Sequence, residues 1–389
     1  MRGYKGGRRV AFALAAAVSV FALGAGQAAA SGSTLYVSPG GSDAGGCTSS
    51  NPCKTIGHAV SVASAGDRIV VRHGTYAESV LLTKRLHLVG RHWPVVDASG
   101  QQNGIVIAGA GAAGSSVRGF RVENADQEGI LVMRTSWVKI VNNAVVGNDQ
   151  GMFAANPTGE CAAVGEVPGD CGEGVHLMTV TRSHVTANRI TGNAGGVLVT
   201  DEFGPTHRNV ISWNHVWRNE FDCGITVPGH NPNAVSATGV PQPSMGGVYD
   251  NRIVHNVVNR NGRKGEGAGI LFAGAGPGTG SYHNFVGWNT ANGNNLAGIT
   301  VHSHAPNTDV NRNRFVGNHL RHNNVGGDPD AGVTRTTDIL VFSAGDPIRG
   351  TVARGNTLSR AFFGIWTLNA HTRLVRNHFH DVQVHVHQS

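Results

Sequence analysis

Eight side chains between residues 201 and 304 could carry chemistry: Asp201, Glu202, His207, His230, Lys264, Glu266, His302 and His304. An imidazole suits proton transfer near neutral pH, whereas an unassisted Lys is mostly charged and idle there. The acids can orient such a base or hold a cation. Asp201, Glu202, His302 and His304 are therefore the candidate metal ligands. Carboxylates favour calcium, the expected ion, and imidazoles a softer transition metal. Hydrolysis of a glycosidic bond would instead need two carboxylates, for which Asp201, Glu202, Asp222 and Glu266 are the central acids.

These residues leave a repeated element. Gly196-Val197-Leu198-Val199-Thr200 is a short strand after a glycine, and Gly224-Ile225-Thr226-Val227 starts the same phrase about 28 residues later. Glycine-led strands recur at Gly104, Gly129, Gly174, Gly269, Gly298 and Gly364, with Asp338 filling the slot once. A second phrase, Asn-x-apolar-x-x-Asn, returns at Asn143, Asn188, Asn214, Asn256, Asn289 and Asn318. Gly, Asn, Val and Thr favour turns and strands over helices. A parallel β-helix explains both phrases, because equivalent residues of successive coils stack. The positions one and three after each glycine are apolar: Val197 and Val199, Ile225 and Val227, Ile270 and Phe272, Ile299 and Val301. They share a strand face and should form the core, while the asparagines stack at the turns. On this register His230 and His304 are equivalent to Glu202, and Ala275 makes a dip between them. Glu202 and His304 are then three coils, roughly 14 Å, apart. His207 is expected to fold over the dip, and Lys264 and Glu266 to flank it. Long excursions at 152–173, 228–247 and 322–337 are expected to wall a groove.

Residues 1–30 read as a secretory signal peptide: basic Arg2, Lys5, Arg8 and Arg9, an apolar run from Val10, then Ala28-Ala29-Ala30. No other long apolar segment exists, so no membrane span is expected in the mature protein, which should be secreted or extracytoplasmic and monomeric. The net charge of +7 falls to +3 once the four leader cations are removed, and Lys is scarce afterwards, which argues against nucleic acid as a partner. The 20 His make surface charge pH-dependent instead. Cys47 with Cys53, and Cys161 with Cys171, each close a short ring and suit disulfides in an oxidising compartment, leaving Cys223 as a buried thiol. Residues 31–97 are read as a cap and first coils, with a helix over 54–64 started by Thr55, and 98–389 as the β-helix proper.

Tyr36-Val37-Ser38-Pro39-Gly40-Gly41-Ser42-Asp43, Pro52-Cys53-Lys54-Thr55-Ile56, Ala65-Gly66-Asp67 and Gly74-Thr75-Tyr76 resemble the amino-terminal signature of secreted right-handed parallel β-helix proteins of the pectate-lyase-like superfamily. The later coils resemble its carbohydrate-binding and sugar-hydrolase repeats. The resemblance spans 35–389 and implies an all-β solenoid with an amino-terminal capping helix. It leaves the reaction open, since lyases, hydrolases, uronate epimerases and a periplasmic nitrous oxide reductase maturation protein share the fold. Of the polygalacturonase-like motifs only Gly229-His230 is present, and Asp201-Glu202 has no second acid pair one coil away to complete a pectate-lyase calcium group. Three classes of function remain. One is an enzyme on a polysaccharide, leaning towards a lyase or hydrolase with an epimerase close by, working in a groove on coils 196–304. Another is a non-catalytic glycan-binding or cell-surface module. The third is a His-rich periplasmic metal handler, from His302-x-His304 and His385-x-His387.

Overall fold

The computed structural model describes residues 32–153 and 173–389. The leader and the Cys161–Cys171 pair lie outside them. Among the described residues the chain winds through three parallel sheets of twelve, eleven and fourteen strands. The first sheet runs from Thr34–Val37 to Ala370–Val375, and the second from Thr75–Ala77 to His378–His380. The third runs from Val80–Leu82 to Val384–Gln388, with a side branch of Thr206–His207, Val248–Tyr249 and Ser281–Tyr282. From Arg68 onwards each coil gives a strand to each sheet, and three coils add a second strand to the third.

The two inward rows are where the glycine spacing puts them. Val197 pairs with Ile225, Ile225 with Ile270, Ile270 with Ile299 and Ile299 with Ile339. All are fully buried in one continuous core. Thr55 caps a helix at Ile56–Val62, shorter than the sequence reading, with its hydroxyl accepting from the His58 amide. Ile56, Ala59 and Val60 join the core at the amino-terminal end of the stack. The Glu78 carboxylate accepts the Ile56 and Gly57 amides at the helix start. Cys47 and Cys53 form a disulfide.

The corners obey one rule: a residue with positive φ, then an inward asparagine. Trp213, His255 and Trp288 have φ of 58°, 57° and 56° and precede Asn214, Asn256 and Asn289. Arg218 and Arg260 play the same part before Asn219 and Asn261. The outward corner rings stack, Trp213 on His255 at 4.4 Å and His255 on Trp288 at 5.2 Å. The inward asparagines bond from coil to coil. Asn256 accepts two bonds from Asn214, both 3.0 Å, and gives two to Asn289. Its amide also reaches the Ile211 carbonyl at 2.9 Å. One such ladder ends at Asp338, whose Oδ1 accepts from Asn323 and whose Oδ2 accepts the Ser359 amide. The next coil offers Ala361 where an asparagine would stand, so the carboxylate takes over its place.

Two predictions follow from the ladders. Asn256→Ala removes the shared acceptor of two buried Asn214 donors and the donor to three buried acceptors, and should cost about 3–5 kcal/mol in urea unfolding. Exposed Asn233→Ala should cost less than about 0.5 kcal/mol. Burial drives Asp338 up to about 7 against three donor contacts. A folded pKa above the unfolded one means that this group favours the fold most at low pH. The contribution is complete below about pH 4 and is lost as pH rises through 7, at most about 4 kcal/mol. Asp338→Asn should flatten that part of the stability profile, and an unchanged profile would show that Asp338 ionises normally.

Candidate functional site

The outer face of the third sheet is not open along its whole width. Its first outward row, including Leu198, Thr226, Thr300 and Leu340, is buried. Segments arriving from the second sheet fold over it: Cys223, Ala268 and Leu296 pack with Leu271, and Ala297 and Val333 pack with Leu340, Phe342 and Trp366. The next two outward rows carry the polar groups. One holds Thr200, Pro228, Ala273 and His302; in the register of the paired strands the other continues as Glu202, His230, Ala275 and His304. The segment 230–247 borders these rows on the far side.

A hydrogen-bonded line crosses the sheet diagonally. Glu128 Oε1 meets His176 Nδ1 at 3.0 Å, and His176 Nε2 meets the Thr200 hydroxyl at 2.8 Å. That hydroxyl donates to Glu202 Oε2 at 2.5 Å, and Glu202 Oε1 meets His230 Nδ1 at 3.0 Å. Because the hydroxyl proton goes to Glu202, Thr200 accepts from His176 Nε2–H. One further proton must then lie between His176 Nδ1 and Glu128. Burial opposes ionisation of Glu202, but the His230 hydrogen bond and the neighbouring imidazoles outweigh it and hold the carboxyl at about 2. The ionised Glu202 fixes Nδ1 of His230 as the donor, which puts the lone pair of a neutral ring on Nε2. Glu128 and His176 are buried, whereas Glu202 and His230 are partly exposed. Beside Glu202, the Arg134 guanidinium lies 3.8 Å over the exposed Phe203 ring.

A second cluster stands two coils beyond His230. His302 is buried, with Nε2 3.0 Å from Asp328 Oδ2 and Nδ1 3.6 Å from Asp330 Oδ2. His304 Nε2 is 3.7 Å from the same Asp330 oxygen. Burial opposes protonation of His302, but Asp328 and Asp330 prevail and raise it to about 9. Asp330 is held low chiefly by its contact with His302. Glu266 is raised, by burial first and then by Asp330 and Asp328, so it belongs to this cluster.

The sequence-derived set is therefore split and partly redistributed. Glu202 and His230 meet, as do His302 and His304 with Asp330, while Glu266 is linked to that cluster only through the charges of Asp330, Asp328 and His302. Asp201 is buried and holds a loop: Oδ1 accepts the His230 and Asn231 amides at 2.7 and 3.1 Å, and Oδ2 the Gly247 amide at 2.5 Å. Burial pushes its carboxyl upward against these donors. His207 does not fold over the dip; it lies in the side branch with its ring stacked 4.9 Å from Tyr249. Lys264 forms an ion pair with Glu220, outside the two clusters. Asp201 and Glu202 do not share a ligand set with His302 and His304; among the described residues those two imidazoles converge with Asp330. Cys223 is a buried free thiol, raised by burial and by Asp222. Glu128, His176, Thr200, Asp328 and Asp330 were missed. Nothing local ties Glu128 to His176, which stands on the adjacent coil but 48 positions further along the chain.

Residues 128–315 match the family model described as a right handed beta helix region. The chain is a right-handed parallel β-helix. A Bacillus subtilis protein, YwoF, is 32% identical over 102 residues. That match covers 26% of this chain and 21% of the relative, about a fifth of its length. The A-module of the Azotobacter vinelandii mannuronan C-5 epimerase AlgE4 superposes with a TM-score of 0.52 at 14% identity, covering 85% of this chain and 92% of its own. Pectate lyase Pel9A gives 0.50 at 16%, covering 83% and 79%. The Dettilon tailspike protein gives 0.51 at 18%, covering 88% and 68%. At these identities the β-helix shares the fold with them and nothing finer.

The loop-holding role of Asp201 is open to test. Asp201→Asn places an amide donor against backbone donors, so hydrogen exchange at His230, Asn231 and Gly247 should speed up at least tenfold, with faster proteolysis inside 230–247. Unchanged exchange at these three amides would refute that role.

Proposed function

We propose that this β-helix is an exported enzyme that acts on an acidic polysaccharide, with Glu202 and His230 as its proton-transfer centre. The carrying observation is the line Glu128–His176–Thr200–Glu202–His230, which links a half-exposed imidazole to a buried, proton-sharing pair. An ionised carboxylate on Nδ1 orients the ring and stabilises the imidazolium formed when it takes a proton. The proton best suited is the one beside a uronate carboxyl. Its removal leads either to expulsion of the neighbouring glycosidic oxygen or to return of a proton on the other face. Both steps begin by neutralising the sugar carboxylate, and Arg134, over the ring of Phe203 next to Glu202 in the chain, supplies a cation at that edge. The fold is shared with proteins named as a mannuronan epimerase and a pectate lyase, which supports a uronate polymer as substrate. The coil between the two clusters carries only small side chains, Ala273 and Ala275, in these rows.

The test is a panel of uronate-containing and neutral polysaccharides, incubated with wild type, His230→Ala and Glu202→Gln. Ultraviolet-absorbing unsaturated ends, or solvent deuterium entering the sugar, are expected from uronate polymers. Each variant should lose at least 100-fold. Reducing ends without unsaturation, abolished by Glu266→Gln, would move the chemistry to the second cluster and overturn this assignment. Binding without product in every case would make the protein a glycan-binding module.

A further inference from the structure

The second cluster has a geometry that the proton-transfer reading does not use. We propose that His302, His304 and Asp330 bind one divalent transition-metal ion, of the zinc class rather than calcium. Their three ligand atoms lie within 4.8 Å of one another. The two measured edges, 3.6 and 3.7 Å, are too long for hydrogen bonds. They are close to the edge of a tetrahedron about an ion with ligands near 2.1 Å, which is about 3.4 Å. Two imidazoles and one carboxylate favour zinc or its neighbours over calcium, which prefers an all-oxygen shell.

A second observation comes from the far side of His302. Its Nε2 faces Asp328 Oδ2 at 3.0 Å, both atoms are buried, and neither has a well-aligned hydrogen bond. An ion on Nδ1 would complete the carboxylate–histidine–metal arrangement in which the outer carboxylate fixes the ring and makes it a better ligand. Phe342 stands edge-on to the His302 ring at 5.7 Å and limits its rotation. Asp328 Oδ1 accepts the Ala331 amide, which ties the loop carrying Asp330 to the same unit. The back of the site is closed by His302 and Asp328, while His304 and Asp330 are partly exposed. That leaves coordination positions facing the groove, as in sites where an ion meets a substrate oxygen. The ion would sit about two coils, roughly 10 Å, from His230, and its binding does not depend on the proton-transfer reading.

The experiment is zinc titration of chelator-stripped, untagged protein by calorimetry, with calcium and manganese in parallel. The cobalt(II) absorption spectrum serves as a separate signature. One equivalent of zinc is expected, together with visible cobalt bands of a four- or five-coordinate site. His304→Ala and Asp330→Asn change partly exposed residues and should fold normally by circular dichroism, yet weaken zinc at least tenfold and abolish the cobalt bands. Asp328→Asn should weaken zinc about tenfold or more while leaving one equivalent. His385→Ala/His387→Ala should leave the stoichiometry at one. Absence of saturable zinc binding would overturn the proposal. So would zinc binding unaffected by His304→Ala and Asp330→Asn, or lost with the carboxy-terminal pair, and so would a preference for calcium.

Discussion

The structure depends on how a buried corner satisfies its backbone. A chain that bends three times per coil breaks its strand pairing at every bend, and the inner side of the bend cannot reach water. The inward asparagines resolve this. Each offers a carbonyl to the amides of one neighbour and its own amide to the next, and also reaches a main-chain carbonyl of the preceding coil. The residue before it must then adopt a positive φ, which bulky residues ordinarily avoid. At Trp213, His255 and Trp288 that strain is offset by ring stacking from coil to coil. Corner geometry thus fixes coil height, and coil height fixes the register of all three sheets.

The site is a consequence of where that rule is relaxed. From Ser116 onwards the corner between the first and second sheets is held to two residues, and an insertion there would break a ladder. Extra chain is accommodated on either side of the third sheet, before or after its strand. Glu128, Asp328 and Asp330 come from before, and Glu202 and His230 from after. The outward face between them gathers groups from several coils onto one surface, each coil contributing one or two side chains.

This explains what was legible in the sequence. The period, the inward rows at Val197, Ile225, Ile270 and Ile299 and the asparagine stacks are set by short, constant spacings. The register that aligns His230 and His304 with Glu202 is equally local. Partners reaching in from segments of variable length had no such signature. Asp330 lies in an excursion flagged only as a wall, and Glu128 is separated from His176 by 48 positions. The alternation that marks the inward rows also bears on Asp201, which follows Thr200 by one residue and therefore points to the opposite face, where it accepts backbone amides. His207 stands out by its place in the Asp201 excursion and Lys264 by the scarcity of Lys, but ring stacking and an ion pair hold them elsewhere.

The asparagine ladders also have a direction. In the one that ends at Asp338, every side-chain amide points towards the carboxy-terminal end: Asn148 to Asn193, Asn193 to Asn219, then on through Asn261 and Asn294 to Asn323. Amide dipoles aligned head to tail add and polarise one another, much as peptide units do along a helix. The asparagine column therefore has a direction along the β-helix axis, even though each amide also donates back to a carbonyl of the preceding coil. Its donor-rich, positive end meets the carboxylate of Asp338. That acid closes the column as its last acceptor, with burial holding its carboxyl up to about 7 against the donors that meet it.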